Sequence, residues 1–266
     1  MITQLYDFDA LYEKRLREEN QDAHLEVAVG PSLLVVVCDG MGGAQGGSTA
    51  SRLAVEAILE TVKSLSEEPH DEGEVLGRAI ASANEAVYQA AQADPLRLDG
   101  MGTTAVVAWF KGLRVHVAWV GDSRLALSDR EGFRWITTDH TRVQALVNSG
   151  HLTPEQAENH PDGHILSRAV GVDEQVEIDI LDPLDLLEGD TLLLCSDGVH
   201  GPVRDGELAH LLEGDITEGL TELKKMLLGR KSDDNATAVV VRIGASQDTI
   251  DEEPEEGSPE PTPQPE

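Results

Sequence analysis

The 266-residue chain contains only two cysteines, Cys38 and Cys195. Two are too few for a disulfide framework. Each ends an apolar run, where cysteine serves as a small buried hydrophobe. Aromatic residues make up only 3% of the chain, so any large core must come from Leu, Val, Ala and Ile. Basic residues are also scarce: 20 Lys and Arg face 50 Asp and Glu, a net charge of −30. That balance argues against nucleic acid or an anionic membrane as partner. No apolar stretch approaches the ~20 residues needed to span a bilayer. The first residues show no basic segment followed by an apolar run, so a secretory leader is not expected. A cytoplasmic chain held neither by a membrane nor by nucleic acid is the expectation.

Part of the negative charge is local. No Lys or Arg follows Arg242, whereas eight acidic residues do. Residues 246–266 combine Glu, Pro and Ser with almost nothing apolar, and so cannot offset the entropy of ordering. The organisation expected is one domain over residues 1–245 and an acidic, Pro-rich disordered tail over 246–266. With the tail's eight acids set aside, the domain still carries about −22. A phosphorylated ligand would therefore need a local cationic site, because the overall field repels it.

Within the domain, short β-branched runs alternate with helical patterns. Strands are expected at 25–29, 33–38, 104–110, 113–120, 125–128, 176–180, 191–195 and 237–243. Lys111-Gly112 between two apolar runs reads as a hairpin turn, which favours antiparallel over parallel sheets. Helical periodicity is clearest over 47–66, with Ala50, Leu53, Ala54, Ala57, Ile58 and Val62 on one face, and over 74–93. A third helix is expected at 217–228. Both long stripes read as core-facing surface.

The sharpest local pattern is an apolar run ending in an acid and a glycine. It occurs as Leu34-Val35-Val36-Val37-Cys38-Asp39-Gly40 and again as Leu192-Leu193-Leu194-Cys195-Ser196-Asp197-Gly198. Gly121-Asp122-Ser123 follows a third strand, and Asp233-Asp234-Asn235 precedes the last one. Each is compatible with an ordinary turn, the glycine easing the backbone round. Carboxylates joined by a backbone carbonyl also suit hard cations such as Mg²⁺ or Mn²⁺, and a pair of such ions can activate water. The aspartates alone leave both readings open.

Six motifs in order resolve the choice. Arg17-Glu18-Glu19-Asn20-Gln21-Asp22, Asp39-Gly40-Met41-Gly42-Gly43, Gly102-Thr103-Thr104, Gly121-Asp122-Ser123-Arg124, Ser196-Asp197-Gly198 and Asp234-Asn235 resemble those of the protein phosphatase 2C family in its bacterial form. The resemblance runs from about Arg17 to Ile243. It implies a four-layer α/β sandwich, two mainly antiparallel sheets flanked by helices. It also implies hydrolysis of phosphoserine and phosphothreonine in proteins, with two or three Mn²⁺ or Mg²⁺ ions and no phosphoenzyme. Asp39 would bridge two metals, with the Gly40 carbonyl on the second; Asp197 and Asp234 would complete the first. Asp122 with Asp197 would hold a third. Asp22 would orient water behind them, and Arg17 would grip the substrate phosphate. The partners implied are phosphorylated proteins, a serine/threonine kinase and its substrates, met by a monomer.

Two departures from the family pattern concern the proton donor. Relatives carry histidine directly after the Asp-Gly or three residues later, and here those positions are Met41 and Ala44. Gln21 stands where relatives often have Glu. A cysteine mechanism is disfavoured, because the position six residues after each cysteine, where such phosphatases carry arginine, is Ala44 or Gly201. The glycine run 40–47 lacks the Gly-Lys-Ser/Thr ending of a nucleotide-binding loop. His140, His151, His160 and His164 lie in a stretch, 138–171, that forms a flap beside the site in bacterial relatives. Most of them are expected to face solvent, one being a candidate for substrate contact; Ser167 and Arg168 close the stretch.

Overall fold

The computed structural model of the protein describes residues 5–66, 71–157, 160–230 and 233–244, with the backbone alone at 43–45. The expected tail and its boundary lie outside the described residues. Twelve strands are present among those described: β1 Tyr6–Glu13, β2 Asp22–Val29, β3 Ser32–Met41, β4 Gly102–Thr103, β5 Ala105–Lys111, β6 Arg114–Val120, β7 Arg124–Asp129, β8 Gly132–Trp135, β9 Asp179–Ile180, β10 Leu184–Asp185, β11 Thr191–Cys195 and β12 Ala236–Ile243. The longer helices are α1 Gly43–Leu65, α2 Glu72–Ala93, α3 Arg142–Asn148, α4 Asp205–Glu213 and α5 Ile216–Gly229.

The strands form two sheets, and every pairing between them is antiparallel. One sheet runs β1-β12-β11-β7-β8. The other runs β10-β6-β5-β3-β2, with β4 on β3 and β9 on β6.

Strand β3 shows why its sequence is apolar without alternation. Leu33, Val35 and Val37 point into the core between the sheets, where they meet Leu192, Leu194, Val239 and Val241. Leu34, Val36 and Cys38 point the other way, onto Ala50, Ala54 and Ile58 of α1 and Leu76, Ile80 and Ala83 of α2. A strand buried on both faces has no polar side to show. In the other sheet, Leu193, Cys195 and Val240 turn outward onto Leu208, Leu212, Leu220 and Leu223 of α4 and α5. The result is helix, sheet, sheet, helix, with three apolar seams. Both cysteines are free and buried in these seams, and burial pushes their thiols up.

Several expectations need correction. The strand expected at 176–180 shrinks to Asp179–Ile180. Strand β1 was not anticipated, although Tyr6, Phe8 and Ala10 alternate with Asp7 and Asp9 as a half-buried strand should. It pairs along its whole length with β12, from Tyr6 opposite Ile243 to Glu13 opposite Ala236. The helices begin earlier than periodicity indicates, because Gly43 and Glu72 open turns that carry no apolar stripe. Residues 111–112 do form the β5–β6 hairpin, Gly112 taking φ 62°.

Candidate metal centre and active site

The mouths of β2, β3 and β11, the turn after β6 and the entry to β12 converge on one cleft of about 1130 Å³. Its lining includes Arg17, Asp39, Gly40, Asp122, Asp197 and Asp234. Six of the seven residues singled out from the sequence therefore share one cavity. The seventh, Asp22, lies beneath it.

Asp39 is held from both sides. Its N–H donates to Thr104 Oγ1 at 2.8 Å, and its carbonyl accepts from Thr103 Oγ1 and Thr104 N–H, each at 2.9 Å. Ser123 Oγ shares a 2.6 Å hydrogen bond with Thr104 Oγ1 and so ties the turn after β6 into the same frame. Thr103, Thr104 and Ser123 thus acquire a role that motif order alone did not give them: they fix the backbone that presents Asp39 and Asp122.

The glycine after each aspartate serves a different purpose from the one expected. Asp39 does not follow the strand; β3 continues through Gly40 to Met41, opposite Thr103 and Gly102. Neither Gly40 nor Gly198 takes a left-handed φ. A Cβ on Gly40 would sit 2.1 Å from the Gly47 carbonyl oxygen and 2.5 Å from that of Gln21. One on Gly198 would sit 1.7 Å from the Asn235 carbonyl oxygen. These glycines allow close backbone approach, and thereby let α1 and the start of β12 press against the two aspartates. Gly121 alone of the three has positive φ, 101°.

Asp22 faces Asp39 directly across the β2–β3 ladder. Its Oδ2 accepts from Thr237 Oγ1 at 2.6 Å and Ser196 Oγ at 2.9 Å, while Oδ1 is buried without a partner. Burial pushes its carboxyl up to about 6, with Asp197 and Asp234 adding to the effect against those two hydrogen bonds. Asp39 is raised well above the carboxylate range by burial and then by Asp22, Asp197 and Asp122. Burial lifts Asp122 to about 8, with help from Asp197 and Asp139. Asp197 is raised by burial and by Asp234. Its Oδ1 is also buried without a partner.

Like charges packed this closely destabilise one another unless something positive lies between them. Among the described residues no three acidic, His or Cys side chains are set closely enough to hold a metal ion as they stand. The donors are carboxylates and one carbonyl, open on the cleft side. Mg²⁺ and Mn²⁺ accept such a set, and Mg²⁺ in particular keeps several waters. The orphaned oxygens of Asp22 and Asp197, and the mutual repulsion of Asp39, Asp122 and Asp197, fit hard divalent cations.

Arg17 lies on the rim. Its Nη2 donates to Asp234 Oδ2 at 3.0 Å and its Nε to the Asp233 carbonyl at 3.2 Å. The loop carrying it, between β1 and β2, is sewn down by Asn235. That side chain accepts from Gln21 N–H at 2.8 Å and donates to the carbonyls of Lys14 at 2.9 Å and Glu19 at 3.1 Å. Sequence reasoning quoted Asn235 without seeing this. The signal is that an Asn paired with a buried Asp-Gly motif can satisfy three backbone groups of a crossing loop.

Behind Asp122 lies a second unforeseen group. Arg124 makes a two-pronged ion pair with Asp139, both contacts at 2.7 Å, over the ring of Trp135. His200 hydrogen-bonds the Asp122 carbonyl at 2.9 Å, and burial pushes its imidazole down to about 4. Being neutral near pH 7, it acts as a donor that fixes the turn.

Among the flap histidines, His151 and His164 are exposed, in line with expectation, and His164 lines the cleft beside Ile165 and Leu166. His140 is different: it is buried, stacked on Trp119 and accepts from the Gly121 N–H at 3.1 Å. Its role is to brace the turn before Asp122. Met41 lines the cleft and offers no transferable proton.

An open cleft with crowded carboxylates at its floor and a guanidinium at its rim defines a class: a hard-metal hydrolase suited to a phosphate ester. Comparison with known proteins narrows the class. The sequence profile described as protein phosphatase 2C matches residues 15–229. The chain is 36% identical over 222 residues to serine/threonine phosphatase stp of Listeria innocua, covering 80% of this chain and 86% of that protein. It is 33% identical over 232 residues to PstP of Mycobacterium tuberculosis, covering 86% of this chain and 43% of that protein. The crystal structure of the M. tuberculosis phosphatase superposes with a TM-score of 0.82 at 32% identity, over 91% of this chain and all of that one. A PstP catalytic domain solved with two manganese ions gives 0.77 at 30% identity, over 91% of this chain and 99% of that one. The chain belongs to the protein phosphatase 2C family.

Proposed function

We propose that the chain is a serine/threonine-protein phosphatase whose Asp39, Asp197 and Asp234, with the Gly40 carbonyl, hold two Mn²⁺ or Mg²⁺ ions, and whose Asp122 with Asp197 takes a third. The observation that carries this reading is the meeting of these residues and Arg17 in one cleft. When bound, the cations supply Lewis acidity: they make water nucleophilic at neutral pH and neutralise phosphoryl charge.

The chain's own residues do the rest. Asp22, anchored by Ser196 and Thr237, holds its free oxygen toward Asp39 and orients what lies there. Arg17, on the rim beside Asp234, would turn its planar fork to two phosphate oxygens. The serine or threonine oxygen must leave with a proton. Met41 cannot give one, and His164 is the histidine among the described residues lining the cleft, so it is the candidate donor or substrate contact, with water as the alternative.

Residues 1–245 form the phosphatase domain in this reading, with 246–266 an acidic tail, and the protein acts as a cytoplasmic monomer opposing a serine/threonine kinase. Among the described residues no helix is long and apolar enough to cross a membrane. A phosphothreonine peptide incubated with the protein and Mn²⁺ should release inorganic phosphate; its failure to do so overturns the assignment. In His164→Asn, loss of the basic limb of the kcat profile, where a donor deprotonates, identifies His164 as the donor, and an unchanged profile assigns the proton to water.

A further inference from the structure

Two of the carboxylates that line the cleft are not among the proposed metal ligands. Of the residues lining it, six are carboxylates and Arg17 is the one Lys or Arg. Asp39, Asp122, Asp197 and Asp234 are the four assigned to the cations. That leaves Arg17 against Glu18 and Glu19, and a bound phosphate group occupies Arg17.

Glu18 and Glu19 sit on the loop that Asn235 sews to β12, so they are presented on a fixed edge. Glu19 is held back by Ser48 Oγ at 2.7 Å. Glu18 is exposed, accepts from Lys14 only through its backbone carbonyl, and its carboxylate pairs with no described residue. It is the residue next to Arg17, and extended neighbours along a chain lie 3.8 Å apart at Cα. A phosphate on Arg17 therefore places the flanking residues of its peptide within reach of Glu18. Ile165, Leu166 and Met41 also line the cleft and bring no charge to it.

We infer that Glu18 is a specificity-determining residue that selects phosphopeptides carrying Lys or Arg beside the phosphorylated residue and disfavours those carrying Asp or Glu there. This deepens the phosphatase assignment and rests on it. The contact is on the rim and in water, so it sets a preference rather than a requirement, and it weakens as salt rises.

The test is kcat/KM for the full chain with Mn²⁺ on phosphothreonine peptides identical but for Lys, Ala or Glu on either side of the phosphothreonine. For at least one side the expected order is Lys, then Ala, then Glu. At low salt the extremes should differ by about tenfold, attraction and repulsion each contributing a few-fold. The ratio should shrink in 0.5 M salt, flatten in Glu18→Gln and reverse in Glu18→Lys. Because the readout is a ratio within each variant, a general loss of activity does not mimic it. Turnover with no charge preference, or a preference unchanged in Glu18→Lys, overturns the inference while leaving the phosphatase assignment standing. No turnover of any peptide overturns both.

Discussion

Asn235 illustrates how much of this site depends on a side chain that does no chemistry. It satisfies three backbone groups of the β1–β2 loop, which a hydrophobic residue would leave part-buried and unpaired. Each orphaned group costs about 1–3 kcal/mol. Asn235→Ala is expected to lower stability by about 2–4 kcal/mol. It should also raise KM for a phosphopeptide more than it lowers kcat, because Arg17 loses its seat while the metal aspartates keep theirs. A kcat loss with unchanged KM would place Asn235 in the chemistry instead. His140 and His200 belong to the same kind. Both are histidines by need of a ring nitrogen that meets the turn around Asp122.

The elements explain which parts of the site the sequence reveals. β3 and β11 are buried on both faces, so their apolar runs stand out and their terminal aspartates with them. Arg17, Asp122 and Asp234 come only with the order of motifs, and all three line the cleft. β1 stays hidden because its alternation is short, interrupted at Leu11 and Tyr12, and exposed along one side. The reason for the glycines is hidden too. Sequence sees a turn former, whereas the fold needs missing Cβ atoms where Gly40 meets Gly47 of α1 and where Gly198 meets Asn235, 37 residues on, at the entry to β12. The proton donor is unreadable for a related reason: only the folded cleft separates His164 from buried His140.

The close approach at Gly198 gives a direct prediction. Gly198→Ala puts a methyl where the Asn235 carbonyl stands, so β12 or the Asp197–His200 turn must move. The variant should lose more than about 3 kcal/mol of stability and bind Mn²⁺ more weakly, as melting and calorimetry would show. Gly206→Ala, where a Cβ meets nothing, is the matched control. If both variants behave alike, the close approach is not what constrains Gly198.

Across the whole protein, charge dominates. Without cations the site binds protons that the unfolded chain would release. Asp122, lifted to about 8 by burial, stays protonated in the fold up to that pH, while its unfolded counterpart ionises near 3.8. Folded protons then outnumber unfolded ones, so stability falls as pH rises. The depressed histidines His140 and His200 act in the opposite sense, but only below about pH 6.5. Between pH 6.5 and 8 the chelated protein should therefore lose about 1–2 kcal/mol, or about 2–8 °C in Tm. Asp122→Asn should flatten that slope. Added Mn²⁺ should raise Tm at pH 8 more than at pH 6.5, since the cations compete with those protons. A chelated protein that is more stable at pH 8 would contradict the repulsion on which the metal assignment rests.

Asp39 is the carboxylate on which the centre turns, facing Asp22 across the ladder and sharing the cleft with Asp197. The most direct measurement pairs Mn²⁺ binding by calorimetry with turnover of a phosphothreonine peptide, in the wild type, with chelator, and in Asp39→Asn. The expected result is at least two Mn²⁺ sites in the wild type, phosphate release abolished by chelator, and loss of both tight binding and about 10³-fold or more of kcat in Asp39→Asn. Turnover that survives chelation, or an Asp39→Asn protein as active as wild type, would contradict it.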